Sequence, residues 1–148
     1  MLRLGLLALV SAALLTATVR AESATVDVQG VSASDSGKKT QQIPDSLQAC
    51  KKILQSTVFG TFKDAGKHTL TMPQGGKKTV TIAGYEIEVG MRAATAAKCR
   101  VELTIKDGGK PIGQPVSYTL SKGDPKMVAQ FGDKDKPTIL ICTLKDGE

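Results

Sequence analysis

The sequence predicts a mainly β protein: a small antiparallel β-sandwich or barrel of seven to eight strands with one N-terminal amphipathic helix. Three observations carry this. Alternating apolar and polar residues recur from Thr57 to Leu144. Gly, Pro and Asp clusters break these runs at intervals of about 8–12 residues, as all-β domains do. One stretch, 44–56, has helical spacing instead.

The 148 residues allow one domain. Residues 1–21 read as a secretory signal peptide. Arg3 gives a basic end, Leu4 to Leu15 is apolar, and Val19-Arg20-Ala21 suits a cleavage site. The apolar run is too short for a stable membrane span, so none remains after cleavage; an uncut anchor helix is the alternative. Residues 22–42 are rich in Ser, Thr, Gln and Gly and read as a flexible linker. Val26-Asp27-Val28 within it alternates as a stray edge strand would. The β-rich domain then spans 43–148.

Ile43, Leu47, Cys50 and Leu54 fall on one face of a helix. Pro44 suits its first turn, and Asp45 with Gln48 has the spacing of a reciprocal cap. Being one-sided, this helix must pack on the sheet. Strands are then predicted at 57–62 and 67–72, at 78–83 and at 85–91, the last two joined by a tight turn at Ala83-Gly84 or, alternatively, forming one long bent strand with a bulge at Gly84. Cys99, Val101, Leu103 and Ile105 face inward on the next strand, followed by Val116 to Leu120 and Met127 to Phe131. Ile139 to Cys142 is apolar on both faces, which predicts a central strand roofed by the helix.

Composition narrows function. Removing the leader takes away Arg3 and Arg20 and no acid, so the formal charge falls from +6 to +4, nearly all of the basic residues being lysine. Lysines keep small β domains soluble and guard exposed edges. With no Trp, two Tyr and three Phe, the chain lacks the stacking platforms of a single-strand binder, so nucleic acid is not a predicted partner.

Three cysteines in an exported chain leave at least one thiol unpaired. Chain entropy gives roughly 4.0 kcal/mol for a 50–99 or a 99–142 bond and about 4.6 for 50–142, too close to choose. Cys99–Cys142 would staple two strands across the core, a bond to Cys50 is a second possibility, and three buried free thiols a third. None of the three sits in a setting that would activate a nucleophile. His68 is the sole histidine, which excludes a two-histidine copper site. Glu86 and Glu88 alternate on a strand face without sugar-stacking Trp. Asp133 and Asp135 are interleaved by lysines and followed by no glutamate, unlike a calcium loop. The Gly pairs 75–76 and 108–109 precede no helix, so they are turns and not phosphate cradles. The reading is therefore no enzyme, no cofactor and no metal.

The amphipathic helix, the aromatic-containing strand after it, the Asp-Gly-Gly-Lys-Pro-Ile-Gly turn ending at Gly113, the Lys-Gly-Asp-Pro turn ending at Pro125 and the closing Ile-Leu-Ile run together resemble a kind of small exported bacterial β-sandwich domain to which no function is attached. The likeness covers 43–145. It implies a binding or accessory module and carries no site residues. The expected role is a secreted or periplasmic module that contacts another protein through a sheet edge or basic turns, with Lys106, Lys110 and Lys122 as candidate contacts. Two alternatives stand beside it: an inhibitor inserting the loop from Asp107 to Gln114 into an enzyme, and a metal-handling protein using His68, Met72 and a thiol.

Overall fold

The computed structural model of the chain describes residues 23–37, 40–95 and 97–147. The signal peptide read over 1–21 lies outside them. Nine strands are described: β1 (Ser23–Ser34), β2 (Thr61–Pro73), β3 (Lys77–Ile82), β4 (Tyr85–Ala94), β5 (Lys98–Asp107), β6 (Lys110–Pro111), β7 (Val116–Ser121), β8 (Lys126–Gly132) and β9 (Pro137–Gly147). They form two antiparallel sheets. One runs β2-β1-β9-β8; the other runs β3-β4-β5, with β6 and β7 sharing the far edge of β5. The sheets do not close into a barrel.

The first strand corrects the flexible linker expected over 22–42. Ser23–Ser34 pairs along its whole length with β2 and over most of it with β9. Ala24, Val26 and Val28 are sealed in the core between the sheets. The weak alternation at Val26-Asp27-Val28 marked a central strand, not a stray edge. Its small and polar residues are tolerated because it pairs with a strand on each side over most of its length, so the strand needs little hydrophobicity of its own.

The helical face is as predicted, but the helix lies between β1 and β2. It is a 3-10 helix, Asp45–Cys50, running into a short α-helix, α1 (Lys51–Gln55). Leu47, Cys50 and Leu54 are buried. The reciprocal cap is not made: Pro44 is the N-cap, and the Gln48 amide donates back to the carbonyls of Ile43 and Pro44 at 3.2 and 3.5 Å. Of the two strands expected at 57–62 and 67–72, the second lies within β2 together with Thr61 and Phe62, while 57–60 are not strand. β2 carries a bulge at Ala65, where Gly30 pairs with Gly66 and Val31 with Asp64.

β9 is central and covered on both sides, as its apolar run predicts. Leu140, Cys142 and Leu144 join the core between the sheets. Ile139 and Ile141 point the other way, into a second cluster with Val31, Leu47, Leu54 and Phe62. The helical stretch thus roofs one end of the first sheet. At the Ala83-Gly84 turn both residues have positive φ, 54° and 84°, the backbone of the two-residue hairpin that joins β3 to β4.

Gly30 sets the distance between the sheets at this point. A Cβ there would collide with Cγ2 of Ile82 on the facing sheet. Gly30→Ala is therefore expected to lower stability by about 1–3 kcal/mol through overpacking. A shift of the urea midpoint checks it, and trimming the obstacle with Ile82→Ala in the same chain should reduce the loss that the Gly30 substitution adds.

Candidate functional site

The strand that composition hides also carries the most developed polar site. Asp27, Gln29, Val31 and Ala33 share the outer face of β1. The helical stretch covers Val31 and Ala33 and stops short of Asp27 and Gln29. Beyond it a groove of about 460 Å³ opens. Ser46, Ala49 and Cys50 form one wall, and Gly123 and Pro125 of the β7–β8 turn form another.

Asp27 is only 7% exposed, yet it is charged and central in the sheet. Thr69 donates its hydroxyl to Oδ1 at 2.6 Å. The ammonium groups of Lys67 and Lys145 stand 3.5 and 3.6 Å from Oδ2. A bulge brings Lys67 to this face: the extra residue Ala65 turns Lys67 and Thr69 outward after Phe62 and Asp64. Lys145 faces the same way by the regular alternation of β9, and is the extra residue of a second bulge, between the partners of Thr25 and Val26. Gln29 locks the first bulge. Its Nε2 donates to the carbonyls of Gly30 and Gly66 and to Asp64 Oδ1, at 2.8, 3.1 and 2.8 Å.

The Asp27 carboxylate faces both ammonium groups, and the Asp64 carboxylate stands beside them on Gln29, so the cluster sets two acids against two lysines. Both contacts are longer than the 2.7–2.9 Å of a charge-assisted hydrogen bond. The two lysine side chains remain about half exposed, 53% and 54%, each with three N–H donors. On the outer face of the second sheet, Glu88 also lies between two lysines, Lys77 at 3.8 Å and Lys106 at 3.2 Å. There the carboxylate is more open, 29% exposed against 10% for the Asp27 side chain.

The three lysines singled out from the sequence do not converge. Lys106 is engaged with Glu88. Lys110 pairs with Asp107 at one end of β5, while Lys122 follows Ser121, which pairs with Lys98 at the other end. The two ends are separated by about 30 Å of extended strand. Lys122 alone adjoins the groove, through its neighbour Gly123. The loop residues from Asp107 to Gln114 are all exposed.

His68 Nε2 lies 3.2 Å from the carbonyl of Thr81, and Met72 is fully buried. Among the described residues no three His, Cys, Asp or Glu side chains gather as a metal site would require. Asp133 Oδ1 accepts from the backbone N–H of Asp135 at 2.9 Å, closing a turn.

All three cysteines are buried free thiols, so the Cys99–Cys142 bond is not present in this structure. Burial pushes Cys99 up to about 11 and Cys142 up to about 12, the latter also raised by its proximity to Cys99. Burial likewise raises Cys50, against a smaller lowering by Lys67. Such thiols are protonated and poor nucleophiles near neutral pH.

Compared with protein-family models, with curated proteins and with solved structures, the chain matches none. The site is thus defined by its own geometry: an antiparallel sandwich with a lysine-rimmed groove on the outer face of its central strands.

Two outcomes follow. Lys67→Met and Lys145→Met should each cost under about 1 kcal/mol, because the other ammonium still holds Asp27. Together they should cost about 2–3 kcal/mol, more than their sum, because a nearly buried carboxylate loses both counter-ions. Urea unfolding of the four chains reads the coupling. The second outcome concerns pH. The unfolded thiols titrate near 9 and the folded Cys99 and Cys142 near 11 and 12. The native state therefore holds more protons above pH 9, and stability should fall as pH rises from about 9 toward 12. Below pH 9 these groups should contribute no slope, and replacing both with Ala should flatten the alkaline limb measured by denaturant midpoint.

Proposed function

We propose that this chain is a non-enzymatic, exported binding module that holds an anionic group of a partner protein in the groove over β1. The observation that carries the reading is the pair of half-exposed lysines, Lys67 and Lys145, sharing one nearly buried carboxylate at the floor of a concavity. Two ammonium groups left half exposed beside partly apolar walls favour a carboxylate-bearing peptide segment. The rigid setting supports it further: the lysines stand on paired strands flanking the central β1, and Gln29 fixes the bulge of β2 beside Lys67. Protonated thiols and a histidine bonded to a carbonyl favour capture without covalent chemistry. Lys122 belongs to this contact by position, whereas Lys106 and Lys110 lie away from it.

Export rests on the leader. The expected cut after Ala21 leaves the whole of β1, Ser23–Ser34, on the exported protein. The exported protein should therefore begin at Glu22, which its intact mass reads directly; a mass retaining residues 1–21 would mean an uncut anchor.

Binding is tested by titrating the isotopically labelled protein with a synthetic tetraglutamate peptide and, separately, with inorganic phosphate. The expected result is shifts clustered at Asp27, Lys67 and Lys145, weakened at least tenfold in the Lys67→Gln/Lys145→Gln chain and by added salt. Lys106→Gln and Lys110→Gln should leave the affinity unchanged. Peptide without phosphate binding assigns a carboxylate ligand; phosphate binding of equal strength would reduce the site to a general anion pocket. Shifts centred on Lys106 and Lys110, or none at all, would overturn the groove reading.

A further inference from the structure

The core between the sheets holds two thiols that the groove does not use, and the topology brings them to the same place. Cys99 pairs with Leu120 across β5 and β7. Two residues beyond Leu120, the chain leaves its sheet: Lys122 forms a parallel bridge to Leu144 of β9, and Gly123 donates its N–H to the Leu144 carbonyl at 2.8 Å. The two sheets are therefore drawn together at this corner. Cys142 stands two residues before Leu144, as Leu120 stands two before Lys122, and all four of Cys99, Leu120, Cys142 and Leu144 belong to one buried cluster. β5 and β9, on opposite sheets, come within 8 Å of each other between some of their Cα atoms. Cys50 is elsewhere, in the second cluster beneath the helix.

We propose that Cys99 and Cys142 are a disulfide-forming pair that staples the two sheets at this corner, with Cys50 the thiol left over. Their shared place at the bridged corner, with Cys50 in the other cluster, singles out this pairing from the three that loop entropy could not separate. It is supported by the electrostatic effect of Cys99 on Cys142, while Cys50 responds instead to Lys67 and Asp64. The oxidant is a disulfide. One cysteine thiolate attacks it, forming a mixed disulfide and releasing one thiol. The second cysteine then attacks the protein sulfur of that mixed disulfide and expels the second thiol. Two electrons and two protons leave with the two departing thiols, and one S–S bond forms.

Timing is set by burial. Cys99 is 2% exposed and Cys142 0%, and neither is ionised near neutral pH. The folded, reduced protein gives an oxidant neither Cys99 nor Cys142 to react with, so the bond forms while the core is still open. An exported chain meets oxidising conditions as it folds. This inference is independent of what the groove binds.

The test compares two starting states in the same glutathione redox buffer: the full chain refolding from denaturant, and the folded reduced protein. Each is alkylated, digested without reductant and mapped. The refolded sample is expected to give linked Cys99 and Cys142 peptides with Cys50 alkylated, and a Tm about 10 °C above the reduced form. The folded sample is expected to keep three alkylatable thiols after denaturation. Three alkylated thiols after refolding, or a bond through Cys50, would overturn the pairing. Rapid oxidation of the folded protein would overturn the timing. No substitution is needed, so misfolding of a variant cannot obscure either answer.

Discussion

The pairing of β1 with β9 is the constraint on which the rest of this structure depends. These two strands are the interior of the first sheet, and both their faces are used. Toward the second sheet they supply Val26, Val28, Leu140, Cys142 and Leu144 to the main core. Away from it they supply Val31, Ala33, Ile139 and Ile141, which would face water without the helical stretch. The helix is short because it has to cover only half of that outer face. Where it ends, β1 turns from valine and alanine to aspartate and glutamine, and the groove begins. The second core and the polar site are thus two halves of one face, divided by the reach of a helix.

Burying a carboxylate on a central strand costs free energy unless it is paired. Here the pairing comes from both neighbours at once: Thr69 and Lys67 on β2 and Lys145 on β9. Lys67 reaches Asp27 because the bulge at Ala65 shifts the alternation of β2, whereas Lys145 follows the regular alternation of β9. Without that bulge the alternation from Phe62 and Asp64 would place Lys67 on the wrong face. The bulge at Ala65 is therefore part of the site. Gln29 holds it with three contacts through a single amide nitrogen.

Much of the fold was legible in the chain. The alternation of Val80 and Ile82, of Ile87, Val89 and Met91, and of Cys99, Val101 and Leu103 marks strands with one buried face, and all of these residues are buried. The two-sided apolar run at Ile139 to Cys142 announced a central, roofed strand. The helical face through Leu47, Cys50 and Leu54 was equally plain. β1 was not recognised because its average composition is that of a linker. Its signal was the alternation of Ala24, Val26 and Val28 with Thr25, Asp27 and Gln29, a pattern that composition averages away. β6 consists of two residues and leaves no periodicity to read.

By itself, then, the sequence determined which residues want burial and with what period, because side-chain hydrophobicity and strand pleat are local properties. It also determined the supply of chemistry: one histidine, three cysteines and a lysine surplus. Only the tertiary structure decided what met what. Asp27 finds Lys67 and Lys145 through strand pairings distant in the chain, so no spacing could mark them as a site. The lysines that looked important from their turns were sent to opposite ends of β5. The two cysteines whose pairing entropy could not rank were brought to one corner, because β7 crosses there to meet β9. Register, bulges and crossovers are collective outcomes of packing two sheets together, and they are where this protein's site was made.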